Sequence, residues 1–126
     1  MTKRLLLVED EPLVSASTAF LLQRSGFRSV DVAATIKDAI CSIGKYHFDL
    51  AIVDYHIGTQ TIEPVIAELA QKNIPYILLS GRSECLSSQI YPVPRAIISK
   101  PYPPKVLIEE AQAILEKVPH KLRASL

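Results

Sequence analysis

Cysteine is scarce in this sequence: only Cys41 and Cys85 occur in 126 residues. Neither belongs to a CxxC pair, so no zinc site and no disulfide framework is indicated, and both read as packing or idle thiols in a reducing cytosol. Glycine and proline together number 13, too few for a collagen-like repeat or a disordered chain. No sign of charge prevails. Fourteen Lys and Arg against thirteen Asp and Glu leave +1, which lacks the basic field that draws a protein onto nucleic acid. Long apolar runs are missing as well: Leu5–Val8 breaks off at Glu9-Asp10-Glu11, short of a signal peptide core or a membrane span. A cytoplasmic chain without membrane insertion is expected.

What is present fits one domain with an ordinary core, since 48% of the residues are hydrophobic and 21% charged. Short runs rich in Val, Ile and Leu recur at Leu5–Val8, Ser29–Ala33, Leu50–Val53, Tyr76–Leu79 and Ala96–Ser99. They are too short for helices and read as five strands. The unbroken apolar character of the first, third and fourth implies burial on both faces, the mark of a parallel sheet covered by helices.

Between the runs lie amphipathic stretches. One runs from Pro12 to Ser25, with Val14, Leu21 and Leu22 on one face and Gly26 as its stop. A second is capped by Thr35, with Asp38 three residues on, and reaches Gly44. A third spans Glu63 to Gln71, ended by Asn73 and Pro75, and the last spans Pro104 to Lys117, with Pro119 beyond it. The Ser- and Pro-containing stretch from Gly81 to Arg95 leaves room for only a short or irregular helix near Glu84–Gln89. Alternating strands and helices imply a right-handed, doubly wound α/β sandwich with helices on both faces. In such sheets ligands bind beyond the carboxyl ends of the strands.

The residues that follow the buried runs therefore share one rim: Glu9-Asp10-Glu11, Asp54, Ser80-Gly81 and Lys100-Pro101. Two carboxylates about 4 Å apart repel by roughly 4 kcal/mol at an effective dielectric near 20, so Glu9, Asp10 and Asp54 share a rim only with a cation or a raised pKa. All-oxygen ligation suits Mg²⁺. A lysine as a movable charge and a serine hydroxyl beside the small Gly81 complete a site complementary to a phosphoryl group. Asp54 is then the nucleophile, able to hold phosphate as an acyl phosphate. Glu11 reads as a plain carboxylate at a helix N-terminus.

Taken in order, Leu6-Leu7-Val8-Glu9-Asp10-Glu11-Pro12, Asp54, Ser80-Gly81 and Lys100-Pro101, with Asp10 to Asp54, Asp54 to Ser80 and Ser80 to Lys100 spaced by 44, 26 and 20 residues, resemble the receiver domain of bacterial two-component response regulators. The resemblance runs from Lys3 to Val118 and is similar to the single-domain type with Ser-Gly after the fourth strand. It implies the flavodoxin-like strand order 2-1-3-4-5. It implies that Asp54 takes phosphate from a histidine kinase or a histidine phosphotransfer protein. It further implies that Asp10, Asp54 and the main-chain carbonyl of His56 hold Mg²⁺, with Glu9 helping through water, and that Ser80 and Lys100 engage the phosphoryl group. Lys100-Pro101 is expected to be cis. It implies, too, that Ser80 is a switch residue. The second switch position, where many receivers carry Tyr or Phe, is Ile97 here, and the stretch from Tyr55 to Pro64 lacks the common Pro and Asp-Gly of its loop, leaving Gly58 to supply a left-handed turn.

On this reading residues 1–118 form the receiver and 119–126 a solvated tail with no output domain. The chain is expected to signal through protein contacts, to an unidentified downstream target, rather than to turn over an external substrate. A phosphorylation-independent docking module of the same fold is the alternative. A Mg²⁺-dependent phosphohydrolase with an aspartyl nucleophile needs a general-acid Asp two residues after it, where His56 stands. His56 is expected to contribute its backbone and to steer water rather than to ligate through its imidazole. A flavodoxin-like redox carrier fails on charge, because carboxylates in the first loop repel a flavin phosphate.

Overall fold

The computed structural model describes residues 3–27, 29–81 and 92–116. Every apolar run expected to be a strand is one: β1 (Arg4–Val8), β2 (Ser29–Ala33), β3 (Leu50–Asp54), β6 (Tyr76–Ser80) and β7 (Ala96–Ser99). The helices are α1 (Pro12–Arg24), α2 (Ile36–Lys45), α3 (Glu63–Gln71) and α4 (Pro104–Glu116). Two short strands were not anticipated, β4 (His56–Ile57) and β5 (Gln60–Thr61), which pair antiparallel as a hairpin. The short helix expected near Glu84–Gln89, Cys85 and the stretch from 117 to 126 lie outside the described residues.

The five long strands form one parallel sheet in the order β2-β1-β3-β6-β7. Counted without the hairpin this is the 2-1-3-4-5 order. Alternate side chains of each strand go to opposite faces, so the sheet carries two cores. Leu6, Val8, Ala51, Val53 and Leu78 pack with Ile36, Ala39 and Ile43 of α2 and Val65, Ile66 and Leu69 of α3. Leu5, Leu7, Ile52, Ile77 and Ile98 pack with Leu22 of α1 and Leu107 and Ala111 of α4. Thr35 caps α2 as its sequence predicts, its hydroxyl accepting from Asp38 N–H at 3.0 Å.

Two expectations about side chains are corrected. On α1, Leu22 is fully buried, yet Val14 is 42% exposed. The reason is a groove of about 580 Å³ between α1 and α4, lined in part by Val14, Leu21, Leu107 and Ile108, which keeps the outer part of that helix face from closing. Cys41 is exposed and free rather than packed in the core. It lies two residues past Ala39, about 200° round a helix whose inward face is Ile36, Ala39 and Ile43.

At the amino-terminal edge of the sheet Arg4 is enclosed by partners. Its guanidinium meets the Asp31 carboxylate at 2.8 Å and lies over the Tyr46 ring at 4.1 Å. Its backbone N–H donates to Asp49 Oδ2 at 2.9 Å.

Candidate functional site

The strand register builds the site. Val8 pairs with Val53, which sets Glu9 beside Asp54; Asp54 pairs with Leu79 and Ser80 with Ser99, so Ser80 and Lys100 follow on the same rim. The Lys100 backbone N–H donates to the Ser80 carbonyl at 2.8 Å, extending the ladder one step beyond β7. Glu9, Asp54, Ser80 and Lys100 are thus positioned by backbone hydrogen bonding before any side chain contributes.

Glu9, Asp54 and Ser80 are buried, whereas Asp10 is exposed. One ligand oxygen from each of Glu9, Asp10 and Asp54 can be chosen so that all lie within 4.8 Å of one another. The Lys100 ammonium donates to Asp54 Oδ2 at 2.6 Å and stands 3.8 Å from Glu9 Oε1. Glu9 Oε2 accepts the Glu11 N–H at 3.1 Å, and Asp10 Oδ2 accepts the Gly58 N–H at 2.7 Å. Lys100-Pro101 is cis, as expected.

Three carboxyl groups face one ammonium, and the titration of the site reflects the imbalance. Burial, together with the charge of Asp54, pushes the Glu9 carboxyl up to about 7, against the Glu11 N–H and Lys100, which favour its ionised form. Burial acts to lower the Lys100 ammonium, yet its hydrogen bond to Asp54 and the charges of Asp54 and Glu9 outweigh this and raise it. The hard oxygen donors and excess negative charge of Glu9, Asp10 and Asp54 fit a divalent cation of the Mg²⁺ type.

His56 opens β4 with its imidazole exposed, edge-on to the Tyr55 ring at 4.8 Å between centroids. It is not among the side chains of the acidic cluster. Ile97 lies on β7 opposite Leu78 and is 45% exposed. Glu11 is the exposed residue preceding α1, and its side chain caps nothing.

The sequence model of the response regulator receiver domain matches residues 5–112. The chain belongs to that family. Among curated relatives of this receiver, the phosphate regulon transcriptional regulatory protein PhoB of Escherichia coli (strain K12) is 26% identical over 125 residues, covering 94% of this chain and 54% of PhoB. The transcriptional regulatory protein MalR of Bacillus subtilis (strain 168) is 29% identical over 82 residues, 63% of this chain and 35% of MalR. The chain spans about half the length of PhoB. Of solved structures, a CheY-like receiver domain protein from Methanospirillum hungatei JF-1 superposes with a TM-score of 0.83 at 24% identity, covering 93% of this chain and 96% of its own. The response regulator TrrA of Thermotoga maritima, solved with Mg²⁺ and BeF, gives 0.79 at 24% identity over 90% of this chain and 99% of TrrA. At this identity the two structures establish the receiver fold. Membership of the family makes this a receiver domain of the two-component response regulator type.

Sequence reasoning missed the donor that Gly58 offers to Asp10. It also missed the brace at the base of the hairpin, where the Tyr55 hydroxyl donates to Glu63 Oε2 at 2.9 Å. Hydrogen bonding from Thr61 first, and from Tyr55, holds the Glu63 carboxyl below its ordinary range in spite of partial burial. The only signal for either was Gly58 itself, as a residue suited to a left-handed turn.

Proposed function

We propose that Asp54 accepts a phosphoryl group from the phosphohistidine of a histidine kinase or histidine phosphotransfer protein. The observation that carries this is the buried Asp54 carboxylate, held through Oδ2 by Lys100 at 2.6 Å inside an acidic cluster at the end of an interior strand. With Oδ2 engaged, Oδ1 is the attacking oxygen: a new O–P bond forms, the P–N bond of the donor breaks, and the imidazole departs with its electron pair. Asp10, Asp54 and the main-chain carbonyl of His56 would hold Mg²⁺, with Glu9 acting through water, and the ion would supply charge neutralisation for the phosphoryl oxygens. Lys100 then moves its ammonium from the carboxylate to the phosphoryl group, and the Ser80 hydroxyl donates to a phosphoryl oxygen. The displacement of Ser80 and Lys100, with Ile97 in place of an aromatic switch, changes the surface offered to a downstream protein.

PhoB and MalR are named as transcriptional regulatory proteins, work done in the cytosol, and the same compartment is proposed for this chain. It acts there as a signalling module without turnover of an external substrate. A phosphohydrolase reading gains nothing from the geometry, since the residue two past Asp54 is His56, with its imidazole turned to the Tyr55 ring.

Intact mass after incubation with Mg²⁺ and acetyl phosphate tests the proposal. The expected result is one phosphoryl adduct that requires Mg²⁺ and is absent in Asp54→Asn. Failure of the parent chain both to form the adduct and to bind Mg²⁺ would overturn it in favour of a phosphorylation-independent docking module.

A further inference from the structure

The three acidic side chains of the site have one feature in common: each has an oxygen held by a donor of the chain itself. Glu9 is held by a backbone N–H two residues away and Asp54 by Lys100. The case of Asp10 differs. It is the exposed member, and its donor, the Gly58 N–H at 2.7 Å, comes from 48 residues further along the chain. An exposed aspartate with no such partner samples several rotamers, and a cation that bound it would have to order it first.

Gly58 offers that N–H because of where the hairpin puts it. The residue sits at φ +63°, in the left-handed region, at the turn between β4 and β5. The hairpin is itself fixed. Ile57 and Ile62 are buried in the core that α2 and α3 cover, His56 pairs with Thr61, and Tyr55 and Glu63 are hydrogen-bonded across its base. A donor on so rigid a mount defines the rotation of the Asp10 carboxylate, and with Oδ2 fixed the position of Oδ1 is fixed too.

We infer that the β4–β5 hairpin is a positioning device for the metal ligand Asp10, acting through the Gly58 N–H, and that it sets the affinity of the site for Mg²⁺. This rests on the phosphoacceptor reading of the site. Gly58 touches neither phosphate nor metal in this account and works only through Asp10, as a hydrogen-bonding partner behind a ligand does.

Substitutions at position 58 separate this from a plain turn. A Cβ added there meets nothing within 4 Å, so an effect of a side chain is an effect on backbone conformation. Gly58→Asn keeps the N–H and tolerates the left-handed region; Gly58→Val keeps the N–H and disfavours that region; Gly58→Pro removes the N–H altogether. Isothermal titration of each chain with Mg²⁺, beside its metal-free melting temperature, is the experiment. Affinity is expected to fall about tenfold in Gly58→Pro and less in Gly58→Val, and to stay within about twofold of the parent in Gly58→Asn. Should Gly58→Pro not fold, the contrast between Val and Asn carries the test. Equal Mg²⁺ affinity in the parent, Val and Asn chains and any folded Pro chain would overturn the inference and leave the phosphoacceptor reading standing. A parent chain that binds no Mg²⁺ would overturn both.

Discussion

The two ends of the sheet treat charge in opposite ways. At the amino-terminal edge Arg4 meets Asp31 at 2.8 Å, gives its backbone N–H to Asp49 and lies over Tyr46, so one cation is surrounded by groups that satisfy it. At the carboxyl-terminal rim Glu9, Asp10 and Asp54 converge on the single ammonium of Lys100. Charge that serves the fold is balanced where it stands, whereas charge that serves a ligand is left in excess until the ligand supplies the balance. Burial alone does not separate the two ends; the count of positive against negative groups does.

The contrast is broken most severely at Lys100. Lys100→Met is expected to slow phosphorylation of Asp54 by about 10²–10³-fold, the scale for losing one charge-stabilising donor, and to leave Mg²⁺ binding equal or tighter. The time course of the phosphoryl adduct by intact mass, beside a Mg²⁺ titration, checks both. Weaker Mg²⁺ binding would mean that the ammonium organises the acids instead of competing for them.

The excess of negative charge also has a pH signature. In the folded chain the Glu9 carboxyl is pushed from 4.5 up to about 7. The folded state thus holds this proton more tightly than the unfolded state does. Its contribution to stability is full below about 4.5, is lost as the pH rises toward about 7, and levels off above that. The loss is expected to be on the order of 3 kcal/mol. Urea midpoints taken across this range without Mg²⁺ should show it, and both Glu9→Gln and added Mg²⁺ should flatten it. A flat profile in the parent chain would mean that Lys100 already balances the cluster.

The opposite edge gives the smallest effect. Arg4→Met is expected to lower the urea midpoint only slightly, as suits a partly exposed ion pair with a ring contact, and to leave the phosphoryl adduct and the Mg²⁺ affinity as they were. A change in either at constant stability would show that the two ends communicate.

Much of this was legible in the sequence because it is local or periodic. Five apolar runs bounded by polar residues can hardly be anything other than buried strands, and parallel pairing carries the residue after each of them to a common rim. Thr35 with Asp38 announces the start of α2 for the same reason, since capping is settled within four residues. The hairpin was missed because strands of two residues carry no period at all. Its bond to Asp10 was missed because nothing local links positions 10 and 58. Val14 was assigned to the buried face of α1 because spacing reports the angle round a helix and says nothing of how closely a neighbouring helix approaches. The outward turn of Cys41 was available from that same angle, two residues past Ala39, but a small apolar thiol is read as a core residue by default.

The position of each partner within the sheet has a last consequence. Glu9 directly follows β1 and Asp54 ends β3, strands with neighbours on both sides; Lys100 follows β7, whose one neighbour among the described residues is β6. Local opening starts at the margins of a structure and reaches its middle only when the whole unfolds. The acids therefore belong to the part of the molecule that yields last, and their counter-ion to a part that yields early. Any new charge at Asp54 meets an unyielding centre and a compliant fringe, and the mechanical response to it falls to the fringe.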